Sequence, residues 1–344
     1  MFVYRVFTKV TLTKTPKQTV PSWQQQLRVV RDVASLHSAS GLQLTDKETL
    51  ALAHAHDLFA TRVPLAFLNR AEPGNPNDPL LLQVLPQAQE LVQHRDFTHD
   101  PVGDHAAIKV DGVLHKYKGR VLLITTGACA IHCRYCFRRH FPYSESHIGG
   151  QRLHAAIDYI KSDTSISEVI LSGGDPLTLS NDHLRNITDQ LRPITHVKRI
   201  RVHTRIPVVL PERIDDGLID WLSNIAQQTS IVIHVNHANE IDDQVKSTLN
   251  LLHETGSVLL NQSVLLKNIN DSVEDLSALS QRLFECRVIP YYLHLLDRVA
   301  GARHFYVDDN TARHLIEGLR QTLPGYLVPK LVREHAGQQS KTSL

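Results

Sequence analysis

The chain has 344 residues, 42% of them hydrophobic and 21% charged, with a formal net charge of +2 at pH 7. That is enough chain for one large α/β domain with an appendage, and the near-neutral balance gives no case for a nucleic-acid partner. No apolar run approaches the ~20 residues of a membrane span, and four cysteines, three of them clustered, do not make a disulfide framework.

Residues 1–22 carry Arg5, Lys9, Lys14 and Lys17 and no acid. They have the charge of a transit peptide without its amphipathic helix, and are expected to form a flexible extension of no functional weight. From Trp23 to about Arg95 the pattern is mostly helical, with Ala51, Ala55, Leu58 and Phe59 at i, i+4, i+7 and i+8. The Pro, Gly and Asn cluster of Glu72 to Pro79 breaks it. Residues 23–115 thus read as a helical N-terminal region, a cap or the contact surface of a homo-oligomer.

Residues 116–310 alternate short β-branched runs with helical stretches. Strands are expected at Val121–Thr125, Glu168–Ser172, Arg199–His203, Ile231–Val235, Val258–Val264 and Val288–Leu293. Such alternation implies α/β architecture with parallel βαβ units, as an open sheet or a barrel of about six repeats. Polar or glycine residues follow nearly every strand: Gly173-Gly174-Asp175, Thr204-Arg205, Asn236-His237, Lys267 and Asp297. In a parallel fold the carboxyl ends of the strands share one face, so these loops converge. Residues 311–344 remain as a short C-terminal segment.

After the first of these strands comes CAIHCRYC, which holds Cys129, Cys133 and Cys136. A CxxxCxxC loop can supply three thiolates to three irons of a [4Fe–4S] cube and leave the fourth iron open. The competing reading is a zinc knuckle completed by His132 or His140. Cys286, far along the chain, reads as a buried structural thiol. A labile cluster requires a reducing compartment, so a cytoplasmic location is expected.

The stretch GACAIHCRYCFRRHFPY, with Tyr135 just before the last cysteine, resembles the cluster loop of the radical S-adenosylmethionine enzymes. SGGDPL (Ser172, Gly173, Gly174, Asp175, Pro176, Leu177) resembles their glycine-rich stretch, although a strand ending in this way is also an ordinary turn. The phrases HKYKGRVLLIT, CFRRHF, VNHANE, LNQSVLLKNIND, YYLHLLDRVAGARHF and GYLVPKLVRE, from roughly Pro79 onward, narrow the resemblance to lysine 2,3-aminomutase and its relatives. The resemblance implies a partial (β/α)6 barrel and three cofactors: a [4Fe–4S] cluster on Cys129, Cys133 and Cys136, S-adenosyl-L-methionine on its open iron, and pyridoxal 5′-phosphate.

Residue by residue, the resemblance implies a Schiff-base lysine at Lys341, in AGQQSKTSL, where only Gly337 remains of the family's glycine run; Lys330 is the rival. Lys116, Tyr117 and Arg120 match phosphate contacts, with Lys116 where the family has arginine. Ser172, Gly173, Gly174, Asp175, His234 and Gln262 match the S-adenosylmethionine region. Arg138 matches the substrate-carboxylate arginine, and Asp297 and Glu334 match two acids that hold the distant ammonium of lysine. Read without the resemblance, Lys341 is a solvated lysine near a chain end, and Lys116, Arg120 and Arg138 are surface cations. Asp297 pairs with Arg298, Glu334 ends a helix, and His234 and Gln262 are core polar residues.

The implied reaction converts L-α-lysine to β-lysine by a 5′-deoxyadenosyl radical, with an electron donor of flavodoxin or ferredoxin type. CFRRHFPY and PYYLHLLD most resemble the bacterial members that supply β-lysine for modification of elongation factor P, which implies a separate β-lysine ligase. The chain carries no C-terminal cysteine cluster of the zinc-binding kind, so no zinc is expected. The alternatives are a 2,3-aminomutase for arginine or glutamate, and a non-catalytic iron–sulfur or metal-binding module.

Overall fold

The computed structural model describes residues 23–26, 30–143 and 148–344, so the expected extension 1–22 lies outside the described residues. Among the described residues ten strands form one sheet in chain order. A hairpin of β1 (Ile108–Val110) and β2 (Val113–Tyr117) leads antiparallel into β3 (Arg120–Thr126). β3 is followed in parallel by β4 (Glu168–Gly173), β5 (Arg199–Thr204), β6 (Gln228–Ile233), β7 (Val258–Leu265), β8 (Ile289–Leu295) and β9 (Lys330–Arg333). The two-residue β10 (Thr342–Ser343) lies antiparallel at the far edge.

Helices α1 (Val33–Ser40) and α2 (Asp46–Leu58) precede the sheet. The crossovers between successive parallel strands are α3 (Gln151–Ser162), α4 (Asn181–Leu191), α5 (Asp216–Ser223), α6 (Asp243–Glu254), α7 (Val273–Glu285) and α8 (Asp309–Thr322). These six β/α units are the expected partial barrel. Five of these helices, α4 to α8, start where Ser180, Asp215, Asp242, Ser272 and Asp308 accept hydrogen bonds from first-turn N–H groups, which fixes those helix entries. α8 buries Ala312, Leu315, Ile316 and Leu319, an i, i+3, i+4, i+7 stripe, against Leu293 and Leu295 of β8.

Strand alternation decides what faces the barrel interior. Along β7 the residues Leu259, Asn261, Ser263 and Leu265 are buried, while Gln262 and Val264 between them line an internal cavity. β8 repeats the arrangement, with Tyr292 and His294 lining the cavity and Leu293 and Leu295 in the apolar core.

Two departures from the sequence reading have physical causes. β1 and most of β2 fall in the segment expected to be helical; they are too short to show a period of their own, and each is defined by its neighbour, β1 by β2 and β2 by β3. β6 ends at Ile233 although its apolar run continues to Val235. There the side chain of Asn261 replaces the ladder, its Oδ1 accepting from Val235 N–H at 2.9 Å and its Nδ2 donating to the Val235 carbonyl at 3.1 Å. Asn261→Leu leaves that buried N–H without its acceptor, and the expected cost is about 1–3 kcal/mol, read as a lower midpoint in chemical denaturation.

Candidate active site

The cysteine loop leaves the end of β3 and is strapped down by the end of β4. Gly174 N–H donates to the Thr126 carbonyl at 2.7 Å, and Asp175 N–H to the Ala128 carbonyl at 2.8 Å. A Cβ on Gly174 would lie 2.2 Å from the Ala128 oxygen, and one on Gly173, at φ +115, would lie 2.6 Å from the Thr126 oxygen. Only glycine permits this approach. The Asp175 carboxylate is engaged by Thr204 Oγ1 at 2.7 Å, Arg205 N–H at 2.7 Å and Leu177 N–H at 3.1 Å. It ties the ends of β4 and β5 together and has little capacity left for a ligand.

Two cavities meet here. One of about 390 Å³ lies over the cysteine loop and includes Cys129, Gly173, Gly174 and Arg205 in its wall. The other, of about 540 Å³, includes Arg120, Asp297, Glu334 and Lys341. Cys133, Cys136, Arg138, Ser172, His234 and Gln262 line both. Burial pushes the Cys129 thiol well up, with Cys136 adding to the effect, and burial with Cys133 pushes Cys136 to about 11. Such groups become thiolates only if a metal cation takes the proton's place.

Behind the loop sits a buried polar network. Arg205 Nη1 donates to Cys133 Sγ at 2.7 Å and to the Tyr135 hydroxyl at 2.9 Å. Its Nη2 donates to Gln83 Oε1 at 2.6 Å and Glu240 Oε2 at 2.9 Å. The Tyr135 hydroxyl meets His234 Nε2 at 2.8 Å, and burial lowers that imidazole to about 3, so His234 is neutral.

Charges crowd the larger cavity. Lys116 Nζ lies 2.5 Å from Asp104 Oδ1 and 2.9 Å from Glu334 Oε1, and Lys341 Nζ lies 2.5 Å from Glu334 Oε2. Burial opposes ionisation of Glu334, but Lys341 and Lys116 hold its carboxyl down at about 2. Burial, with Glu334 nearby, pushes the Tyr117 hydroxyl well up. Arg138 Nε donates to Asp104 Oδ2 at 2.6 Å, and its terminal nitrogens make no hydrogen bond among the described residues. Arg120 lies over the Tyr117 ring at 4.5 Å and makes no ion pair among the described residues. Asp297, also without an ion pair there, is pushed up to about 7 by burial and then by Glu334.

Several plainer readings of these residues fail on position. Arg298 pairs with Asp96 at 3.4 Å, not with Asp297. Glu334 follows strand β9 and no helix, and Arg138 is only 10% exposed. Lys341 directly precedes β10 and lines the cavity, whereas Lys330 opens β9 on the exposed surface. Gly337, at φ +78 with open space around its Cβ position, turns the chain between them. His132 bonds through Nδ1 to the Ala60 carbonyl at 2.6 Å, and His140 through Nε2 to the Ala300 carbonyl at 3.2 Å. Among the described residues no three His, Cys, Asp or Glu side chains converge closely enough to hold a single ion. Cys286 is fully buried in the core, remote from the loop.

Residues 123–279 match the model of the Radical SAM superfamily. The chain is 44% identical to the L-lysine 2,3-aminomutase of Escherichia coli (strain K12), over 94% of each chain. It is 46% identical to the enzyme of that name from Buchnera aphidicola, over 83% of this chain and 84% of the relative. Against that of Haemophilus influenzae it is 46% identical over 84% and 85%. The chain belongs to the L-lysine 2,3-aminomutase family. Enzymes of this radical SAM family are isomerases, and their superfamily implies a [4Fe–4S] cluster and S-adenosylmethionine.

The residues fit those groups. Three partly buried thiols on one short loop suit a cation, and a cube spreads three thiolates over three irons without making them converge on one point. Asp104, His203 and His294 were not singled out from the sequence, and Arg205 was marked there only as a polar residue following a strand. Alternation along β5 and β8 was the signal for the histidines, which share a face with Arg201 and Tyr292; Nε2 of each is buried with no hydrogen-bond partner among the described residues. Nothing in the sequence linked Asp104 or Gln83 to the loop, because both contacts are long-range. Gly174→Ala is expected to push the cysteine loop off β4 and lower iron uptake on anaerobic reconstitution several-fold, with the circular dichroism of the fold retained.

Proposed function

We propose that this enzyme converts L-α-lysine to β-lysine, moving the α-amino group to the β-carbon with the help of pyridoxal 5′-phosphate and a radical derived from S-adenosylmethionine. What supports the reading above all is one cavity in which Lys341, Arg138, Asp297 and Glu334 share space with Cys133 and Cys136. When bound, the cluster and S-adenosylmethionine supply a 5′-deoxyadenosyl radical, and pyridoxal supplies the π-bond that accepts the unpaired electron while nitrogen migrates.

The protein's own residues divide the binding work. Cys129, Cys133 and Cys136 hold three irons. The backbone of Ser172, Gly173 and Gly174, with His234 and Gln262, lines the S-adenosylmethionine region, and Asp175 positions it. Lys341 is the pyridoxal lysine, carried by the C-terminal segment 311–344. Glu334, kept ionised by the charges of Lys341 and Lys116, acts as an electrostatic clamp on the lysine. Arg120 makes no ion pair among the described residues and, with Tyr117 and Lys116, receives the phosphate. Arg138 offers two parallel N–H donors to the substrate carboxylate while Asp104 holds its Nε. Asp297, with Glu334, takes the side-chain ammonium; two acids there attract lysine and repel the side chain of glutamate.

The resemblance of CFRRHFPY and PYYLHLLD supports a role in supplying β-lysine for elongation factor P, through a separate ligase, in the cytoplasm and with a flavodoxin- or ferredoxin-type donor. Among the described residues no helix is long and apolar enough to cross a membrane.

The deciding experiment is an anaerobic assay with isotopically labelled lysine, arginine and glutamate and chiral chromatography of the products. Conversion of lysine alone is expected, and turnover of either other amino acid in its place refutes the assignment. Lys341→Ala is expected to abolish covalent pyridoxal absorbance and leave the cluster spectrum intact; an undiminished band moves the role to Lys330. Asp297, at about 7 before a cation arrives, must be ionised to pair with the ammonium. KM for lysine is therefore expected to rise as pH falls below about 7, by up to about tenfold per unit, and Asp297→Asn is expected to flatten that dependence.

A further inference from the structure

We infer that Arg205 raises the reduction potential of the iron–sulfur cluster through Cys133, and that Glu240 opposes it. The inference rests on the proposed role of Cys133 as an iron ligand. Arg205 stands just past β5, its side chain 6% exposed, with Nη1 2.7 Å from Cys133 Sγ. A guanidinium stays protonated throughout the range in which proteins are folded, so this is a fixed positive charge touching one ligand sulfur.

The fork is locked from both sides. Nη1 bridges Cys133 and Tyr135, Nη2 bridges Gln83 and Glu240, and the backbone N–H of Arg205 is held by Asp175. Asn236 Nδ2 braces the same pair, donating to Gln83 Oε1 at 3.0 Å and to the Tyr135 hydroxyl at 2.7 Å. Glu240, fully buried, accepts further bonds from Asn236 N–H at 2.9 Å and Gln83 Nε2 at 3.0 Å. A buried cation without such a partner would be strongly destabilising, so Glu240 permits Arg205 to sit here and also weakens its field at the sulfur.

The electron balance sets the direction. The oxidised cluster takes one electron from a one-electron reductant, and that electron passes to the sulfonium, where the S–C5′ bond breaks to give methionine and the 5′-deoxyadenosyl radical. Reduction adds one negative charge to the cluster, so a hydrogen-bonded cation at a ligand sulfur stabilises the reduced form more than the oxidised one. Glu240, on the far side of the guanidinium, acts in the opposite sense and more weakly. The pair holds the cluster at a potential that neither charge would give alone.

The test is a dithionite titration of the anaerobically reconstituted full chain, followed by electron paramagnetic resonance, after iron content has been measured. Arg205→Met is expected to keep its iron and to make reduction about tenfold less favourable, a potential lower by about 59 mV. Glu240→Gln is expected to shift the potential upward, and Arg205→Lys to stay near the parent. Opposite signs for the two charge removals are what a purely structural role would not produce. Unchanged potentials in both Arg205→Met and Glu240→Gln, or shifts of the same sign, overturn the inference. Should Arg205→Met lose its iron, Arg205→Lys and Glu240→Gln decide: an upward shift in the latter with the former near parent supports it, and any other pattern overturns it. Cys133→Ala separates the two levels, because full iron retention there refutes Cys133 as a ligand, and the inference with it, independently of any potential.

Discussion

The active end of the barrel depends on one backbone contact, the hydrogen bond from Gly174 N–H to the Thr126 carbonyl. It forms only because two successive glycines let the end of β4 touch the chain leaving β3. From that contact the cysteine loop takes its position against β4. Asp175, carried by the same turn, then reaches Thr204 and Arg205. Three neighbouring strand ends are thereby fixed to one another before any cofactor is considered.

Around that frame the buried charges are arranged in compensated sets. Arg134 and Arg139 share Glu90, Arg205 faces Glu240, Arg138 and Lys116 share Asp104, and Lys116 and Lys341 share Glu334. Burying any of these ions alone would be unfavourable by several kcal/mol, so the pairing is a condition of the fold. Arg120 and Asp297 stand apart from this pattern among the described residues of the larger cavity. One is a cation where the proposed phosphate lies, the other an acid where the proposed substrate ammonium lies. A ligand with both an anionic and a cationic group would complete the electrostatics that the protein leaves open there.

The parallel strands β3 to β8 were legible because their apolar runs are long and bounded by glycine and polar turns, and the cysteine motif because its spacing is local. The hairpin β1–β2 and the strands β9 and β10 were not legible. They are short and contain Lys116, Lys330 and Arg333, and only their neighbours define them. The same limit applies inside the site. Lys116, Glu334 and Lys341 could each be named from motifs, but the convergence of the two lysines on the Glu334 carboxylate could not, since it brings together residues 116 and 334. Arg205 was visible as a polar residue after a strand, and its contact with Cys133 appears only when β5 is laid beside the loop.

The hairpin between β9 and β10 governs more than its size suggests. Thr342 pairs with Arg333, so Lys341 and Glu334 are the residues just beyond that pair on the two chains, and their ion pair is a cross-strand contact. Side chains alternate along a strand, so a slip of one residue in this register would turn Lys341 away from the cavity without moving the backbone far. Arg333 is clamped to Asp309 of α8 by two hydrogen bonds, and Leu344 N–H returns to the Leu331 carbonyl at 3.1 Å. The aim of the proposed pyridoxal lysine is thus a matter of strand phase, kept by an ion pair on a helix outside the cavity.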